Sequence, residues 1–215
     1  MRKFRRSLSR TGLSRVRASL LLASNSPRRR QLLTEAGFEF AAIAPDVSER
    51  SDVDLTLREL TILNAIRKAF SIGRAHPGEI VLAADTLVAL DDQIIGKPRD
   101  VDEAAAILRR LSGRSHEVCS AVFVCHLSSA RSTSFYEISR VWFRRLSDSA
   151  IRAYLDKVNP LDKAGSYAAQ GYGAAIIGKI EGSYTNVVGL PMEKTTAALA
   201  EFGIKPKKLP VRLGP

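Results

Sequence analysis

An apolar run ending at Ala84 delivers a carboxylate, Asp85, and then Thr86. Lys97 is held between Gly96 and Pro98. Upstream, Ser24-Asn-Ser-Pro27 leads into Arg28, Arg29 and Arg30. An acid placed beside apolar chain is costly unless it is paired, metal-bound or wet. It can accept a proton from water or hold a divalent cation. A lysine on a constrained backbone is a point charge for a phosphate. Three arginines in the first turn of a helix sit at the positive end of its macrodipole, where cations cost and anions are favoured. A ligand with several negative charges removes that conflict, because free amides and guanidiniums converge on it. Taken together, the basic groups would hold a triphosphate and the acids would hold metal and water. Each group also has a plainer reading: a solvated basic turn, a turn aspartate, a loop lysine at Lys97, a helix-surface lysine at Lys68, a solvated acid at Glu49.

These groups need elements to hold them. Leu20 to Ala23 reads as a buried strand, and Ser26 caps a helix whose first position suits Pro27. That helix carries Leu32, Leu33 and Ala36 inward and stops at Gly37. Phe38 to Ala44 reads as a second strand, followed by an acidic loop, Asp46 to Asp54, containing Glu49. Thr56-Leu-Arg-Glu59 is a capping-box pattern. The helix behind it is expected to bury Leu63, Ile66 and Phe70, with Lys68 off that stripe. Glu79 to Ala84 should be a strand ending at Asp85, with a hairpin at Leu87 to Ile95. In α/β sheets, ligands gather outside the carboxyl ends of strands.

Asp100 with Glu103 caps a helix with the stripe Ala104, Ile107, Leu108 and Leu111. Two long runs, Glu117 to Leu127 and Thr133 to Phe143, predict an antiparallel pair, and Ser147 starts a helix. Lys163 to Ser183 is glycine-rich with a strand at Ala174 to Ile180; Thr185 to Pro191 reads as a loop before a last helix burying Met192, Leu199 and Phe202. Early alternation of strands and helices followed by paired strands specifies an α/β class: a mixed sheet with flanking helices.

Charge location excludes one function class. Of the net +11, seven charges fall in residues 1–19 and four in 205–215, and neither segment holds an acid, so residues 20–204 are neutral overall. The expected division is a basic N-terminal extension over 1–19, one domain, of one lobe or two, over 20–204 and a basic tail over 205–215. No basic stripe interleaved with aromatics remains in the body, so a stable nucleic-acid partner is not expected. The extension's Arg- and Ser-rich composition suits a disordered arm, an upstream start or a transit segment alike. The longest uncharged apolar runs fall well short of the roughly 20 residues that span a bilayer. Two cysteines, Cys119 and Cys125, do not make a disulfide scaffold, and a reducing cytoplasm is expected.

Several signatures are missing. No glycine-rich loop ends in Gly-Lys-Ser or Gly-Lys-Thr, and Gly171-Tyr-Gly173 lacks the third small residue and preceding strand of a dinucleotide site. His116 and Cys119 would point to opposite faces of a strand, which makes them poor zinc co-ligands. The histidines show no triad context.

The ordered set Leu22-Ala-Ser-Asn-Ser-Pro-Arg-Arg29, Ala84-Asp-Thr-Leu-Val88, Ile95-Gly-Lys-Pro98, Leu111-Ser-Gly-Arg-Ser-His-Glu-Val118, Asp162-Lys-Ala-Gly-Ser-Tyr-Ala-Ala-Gln-Gly171 and Asn186-Val-Val-Gly-Leu-Pro191 resembles the Maf family of nucleoside triphosphate pyrophosphatases. The resemblance covers roughly residues 20–203. It implies a fold similar to inosine triphosphate pyrophosphatases, with an elongated mixed sheet, two lobes and a cleft between them. It implies hydrolysis of a nucleoside triphosphate to monophosphate and pyrophosphate with a divalent cation, Mg²⁺ or Mn²⁺. It places the proton acceptor at Asp85, metal contacts at Glu49 and Asp85, and phosphate contacts at Ser24, Arg29, Lys68 and Lys97. It also implies a homodimer.

Arg28, Thr86 and Gln170 stand where the family's subgroups differ, and here they are similar to the dTTP/UTP subgroup. A neutral amide at Gln170 suits the imide edge of uracil or thymine, whereas a carboxylate would better suit a cationic methylated guanine. The alternatives are a 7-methyl-GTP pyrophosphatase of the same family and a non-catalytic nucleotide-binding regulator of septum formation. Cys119-Ser120 and Ala168-Ala169 depart from the family's usual Thr-Gly and Gly-Ile.

Overall fold

The computed structural model describes residues 19–50 and 54–207. The basic extension up to residue 18, residues 51–53 of the acidic loop and the tail beyond 207 lie outside the described residues. The described residues build one seven-stranded mixed sheet flanked by helices. In chain order they form β1 (Leu20–Ala23), α1 (Pro27–Glu35), β2 (Ala41–Ile43), α2 (Leu57–Gly73), β3 (Ile80–Leu90), β4 (Gln93–Ile95), α3 (Val101–Leu111), β5 (Ser115–His126), β6 (Arg131–Phe143), α4 (Asp148–Leu155), β7 (Ile177–Glu181), α5 (Tyr184–Val188) and α6 (Met192–Glu201). The sheet order is β2-β1-β3-β5-β6-β7, with β4 pairing β3. β1 runs parallel to β2 and β3, and the remaining ladders are antiparallel.

The helices start where their caps dictate. Ser26 accepts from the Arg29 amide, Thr56 and Glu59 close a reciprocal capping box, and Asp100 and Ser147 cap α3 and α4. Alternation along the strands sorts the core. Leu20, Leu22, Ile80 and Leu82 pack with Leu33 and Leu199 on one face, while Leu21, Ala23, Val81 and Ala83 pack with Ala65, Ala69 and Ile72 of α2 on the other. A further cluster joins Val88, Leu90 and Val118 to α3 and α4 at the far end of β3 and β5.

Four expectations are corrected. β3 does not end at Ala84 but runs on to Leu90, because β5 stays paired with it from Val81 to Ala89. What ends near Asp85 is β1, whose pairing with β3 stops at Ala83. The buried face of α2 is Leu60, Thr61, Asn64, Ala65, Lys68, Ala69 and Ile72, so Lys68 lies inside and Leu63, Ile66 and Phe70 flank it. Small residues let the helix sit close to the sheet, and that closeness, rather than residue bulk, fixes its rotation. The strand expected from Ala174 begins only at Ile177, after a 3₁₀ turn over Gly171–Ala175, and Thr185 to Pro191 is mostly the short α5.

Candidate active site

The site lies where β1 stops and uncovers the edge of β3. Asp85 and Thr86 are neighbours on one strand, so their side chains leave opposite faces of the sheet. Both nevertheless line one cavity of about 450 Å³, which wraps around the exposed edge.

On the α2 side, Asp85 is buried and each of its carboxylate oxygens accepts one hydrogen bond. Oδ1 accepts from Lys68 Nζ at 2.6 Å and Oδ2 from Asn64 Nδ2 at 3.2 Å. Lys68 Nζ also donates to Glu49 Oε1 at 2.8 Å, and Lys97 Nζ donates to Glu49 Oε2 at 2.7 Å. The order Asp85–Lys68–Glu49–Lys97 alternates in sign, so each charge is neutralised by its neighbour. Partial burial alone would raise the Glu49 carboxyl, but Lys68 and then Lys97 outweigh it and hold its pKa at about 2. Asn64, one turn before Lys68 on α2, also grips the backbone of Arg50 through both its amide nitrogen and its oxygen (3.2 and 2.9 Å). It thus ties the Glu49 loop to Asp85.

On the opposite face, Ser24 Oγ accepts from the Ser26 amide at 3.1 Å and from Arg29 Nη1 at 3.3 Å. Arg29 also donates through Nε to the Gly189 carbonyl (2.8 Å) and through Nη2 to Thr86 Oγ1 (2.9 Å). Burial is the main influence on this guanidinium and lowers its pKa, against the pull of Asp85 and Glu49. The Gly189 position favours glycine because its φ of +123° strains any L side chain, although a Cβ there would make only ordinary contact with Thr86 and Arg29. Thr86 Oγ1 lies 2.8 Å from Ser120 Oγ, which donates to the carbonyl of buried Asn186. Asn186 ties β5 and β6 together through Val118 and Ser139.

The three arginines of α1 do not converge, because successive helical residues turn by about 100°. Arg28 crosses the cavity to Asp162 (3.3 Å), Arg29 points inward as described, and Arg30 turns out to the Asn25 carbonyl. Apolar groups complete the cavity: Val88, Val118, Val187 and the segment Ala164, Tyr167, Ala168 and Ala169.

Of the positions singled out from the sequence, Ser24, Arg28, Arg29, Glu49, Lys68, Asp85, Thr86 and Lys97 all line this cavity. Gln170 does not; it precedes the Gly171 turn and is half-buried there. Missed from the sequence were Asn64, Asp162 as the partner of Arg28, and the Ser120–Asn186 network. Asn64 had a usable signal: a polar residue four before Lys68 shares its face of the helix.

The donors present suit a hard divalent cation. Glu49 and Asp85 meet at one ammonium, and each of their oxygens, now bound to one nitrogen, keeps a second lone pair. Among the described residues no group of three or more His, Cys, Asp or Glu converges. One or two carboxylates completed by substrate phosphates and water is the usual arrangement for Mg²⁺.

A mixed α/β sheet opening at a strand end onto four cations, three carboxylates and an apolar wall defines a protein built to bind an anionic ligand with an apolar body. The chain belongs to the Maf-like protein family, whose model matches residues 19–202. It is 42% identical to the dTTP/UTP pyrophosphatase of Carboxydothermus hydrogenoformans over 184 residues, covering 86% of this chain and 98% of that protein. It is 44% identical to the dTTP/UTP pyrophosphatase of Bacillus pumilus over 187 residues, covering 87% and 98%. A solved dITP/XTP pyrophosphatase from Mycobacterium abscessus aligns with 85% of this chain and 94% of its own at 17% identity and a TM-score of 0.42, too loose a match to superpose the sites.

Proposed function

We propose that the chain is a metal-dependent nucleoside triphosphate pyrophosphatase that hydrolyses dTTP and UTP to the monophosphate and pyrophosphate. The reading is carried by the alternating array Asp85–Lys68–Glu49–Lys97 facing the same cavity as an apolar wall. The family membership and the names of the relatives point the same way.

Arg28, Arg29, Lys68 and Lys97 bind the triphosphate, with Ser24 at the turn. A phosphate chain competes with Asp162 for Arg28 and with Glu49 for the lysines. Glu49 and Asp85 would hold a Mg²⁺ or Mn²⁺ ion, which supplies charge neutralisation on the phosphate oxygens when bound. Asp85 accepts the proton of a water whose oxygen forms the new bond to the α-phosphorus. The α–β bridging bond breaks, and its electron pair leaves with pyrophosphate. Asn64 and Lys68 orient the Asp85 carboxylate for that transfer. The base lies against the apolar wall, and Thr86 sets its choice with a weaker contribution from Gln170, just beyond the cavity lining. A cytoplasmic location, by the cysteine usage, and a homodimer, by the family resemblance alone, belong to the same proposal. Among the described residues no helix is long and apolar enough to cross a membrane.

The test is a nucleotide panel with Mg²⁺ or Mn²⁺, scored by pyrophosphate release. dTTP and UTP should lead, and a chelator should abolish turnover. Hydrolysis of 7-methyl-GTP at least tenfold better than UTP overturns the substrate assignment, and no release from any nucleotide overturns catalysis.

A further inference from the structure

We infer that His116, which no step of the reaction above uses, is a positioning residue for the apolar side of the cavity: it fixes Tyr167 and, through it, the wall against which a nucleobase rests. The inference depends on the pyrophosphatase reading and adds to it the group that shapes base binding.

His116 lies on β5 and is 2% exposed. Its Nε2 is 2.7 Å from Tyr167 Oη, and its Nδ1 is buried with no partner, so the bond to Tyr167 is the ring's sole polar anchor among the described residues. Burial pushes the imidazole down to about 4, so it is neutral near pH 7, and the two groups share one hydrogen bond rather than a charge. Edge-to-face packing fixes the pair, with His116 4.9 Å from Phe143 and 5.3 Å from Tyr167, and Phe143 4.9 Å from Tyr167. Its partner Tyr167 is both a buried member of the core and a lining residue of the cavity, so this one bond couples the core to the wall.

The wall needs such anchors. Gly165 and Ser166 both sit at positive φ, +71° and +64°, a conformation that is strained for serine. Ser166 Oγ is buried with no partner among the described residues, so its side chain does not hold the turn. A Cβ on Gly165 would meet Val88 at 3.1 Å, which shows how closely the turn lies on β3. Besides the turn's own bond from the Ser166 amide to the Lys163 carbonyl (3.1 Å), its fastenings come from outside. The Gly165 amide donates to the Gly96 carbonyl next to Lys97, the Ala168 amide donates to Tyr154 Oη, and Tyr167 is held by His116. Loss of the last lets the wall relax around Tyr167.

The experiment is steady-state kinetics on Tyr167→Phe, which removes one oxygen, on His116→Phe and on the double variant. KM for UTP should rise roughly three- to tenfold in each single variant, the value of one lost hydrogen bond, with kcat changing less than twofold. Competitive inhibition by inorganic tripolyphosphate, which has no base, should be unchanged. The double variant should match either single one, because both remove the same bond. Equal losses in kcat and KM, a parallel weakening of tripolyphosphate, or multiplied effects in the double variant overturn the proposal. If wild type releases no pyrophosphate from UTP, both readings fall. If it does and KM stays flat in the variants, only this one falls.

Discussion

The two sides of the cavity are built on different principles. Under α2, four charged groups from four separate elements are locked by ion pairs and hydrogen bonds of 2.6 to 3.2 Å. Opposite, the wall of Val88, Val118, Val187 and residues 164–169 is held by packing, backbone fastenings and one histidine–tyrosine contact. The charged side is held in place before any ligand arrives, since each cation already has an acid beside it, and a phosphate chain exchanges with those acids as it binds. Charges whose positions are fixed in advance stabilise a transition state more effectively than groups that must first be gathered. The apolar side stabilises by area and shape, which is non-directional and tolerant of change. Catalytic power should therefore be concentrated on one side and selectivity spread over the other.

The sharpest way to break this contrast is Asp85→Asn. Pyrophosphate release should drop about 10²- to 10⁴-fold with the far-UV circular dichroism unchanged. Near-normal turnover would remove Asp85 from the chemistry and leave the charged side merely structural.

Next in size is Lys68→Met, which leaves Asp85 buried without its cation. A broken buried pair costs about 3–5 kcal/mol, to be read as a shift in urea unfolding, in addition to lost activity. Unaltered stability would mean that the array is not the organising core of that side.

A subtler effect concerns acid. The Glu49 carboxyl is held at about 2 in the fold against an ordinary value of 4.5. A depressed pKa stabilises the fold above the unfolded value, and this contribution fades as pH falls from about 4.5 towards 2. Glu49→Gln should flatten the decline in melting temperature over that window. An identical decline in wild type and variant would show that the lysines do not hold Glu49 in solution.

The smallest effect expected is from Gln170→Glu, because that side chain lies beyond the cavity lining. The ratio of UTP to 7-methyl-GTP hydrolysis should shift only a few-fold. A shift beyond tenfold would extend the apolar side to Gln170 and sharpen its boundary.

Legibility followed the same division. Lys68 and Glu49 each read as ordinary surface residues in isolation and lie in none of the ordered motifs, so only the family resemblance, carried in part by the motifs around Asp85 and Lys97, pointed to them. Caps at Ser26, Thr56, Asp100 and Ser147 were readable because they act within four residues of themselves. The face of α2 was misjudged because Leu63, Ile66 and Phe70 are bulkier than Ala65 and Ala69, and bulk does not reveal how closely a helix approaches a sheet. The end of β3 was misplaced because an acid interrupts the apolar run at Asp85, while the ladder with β5 carries the strand through it.

By itself, then, the sequence determined the α/β class, the starts of the main helices and the identities of the charged groups, since composition, periodicity and local caps are short-range properties. Only the tertiary structure decided which groups meet. Arg28 finds Asp162 134 positions away, and His116 finds Tyr167 51 positions away. Asp85 and Thr86 share a cavity although they leave opposite faces of the sheet, because β1 stops beside them. Contacts of that span depend on where strands end and how closely helices dock. Those are settled by the packing of the whole chain, and no local stretch encodes them.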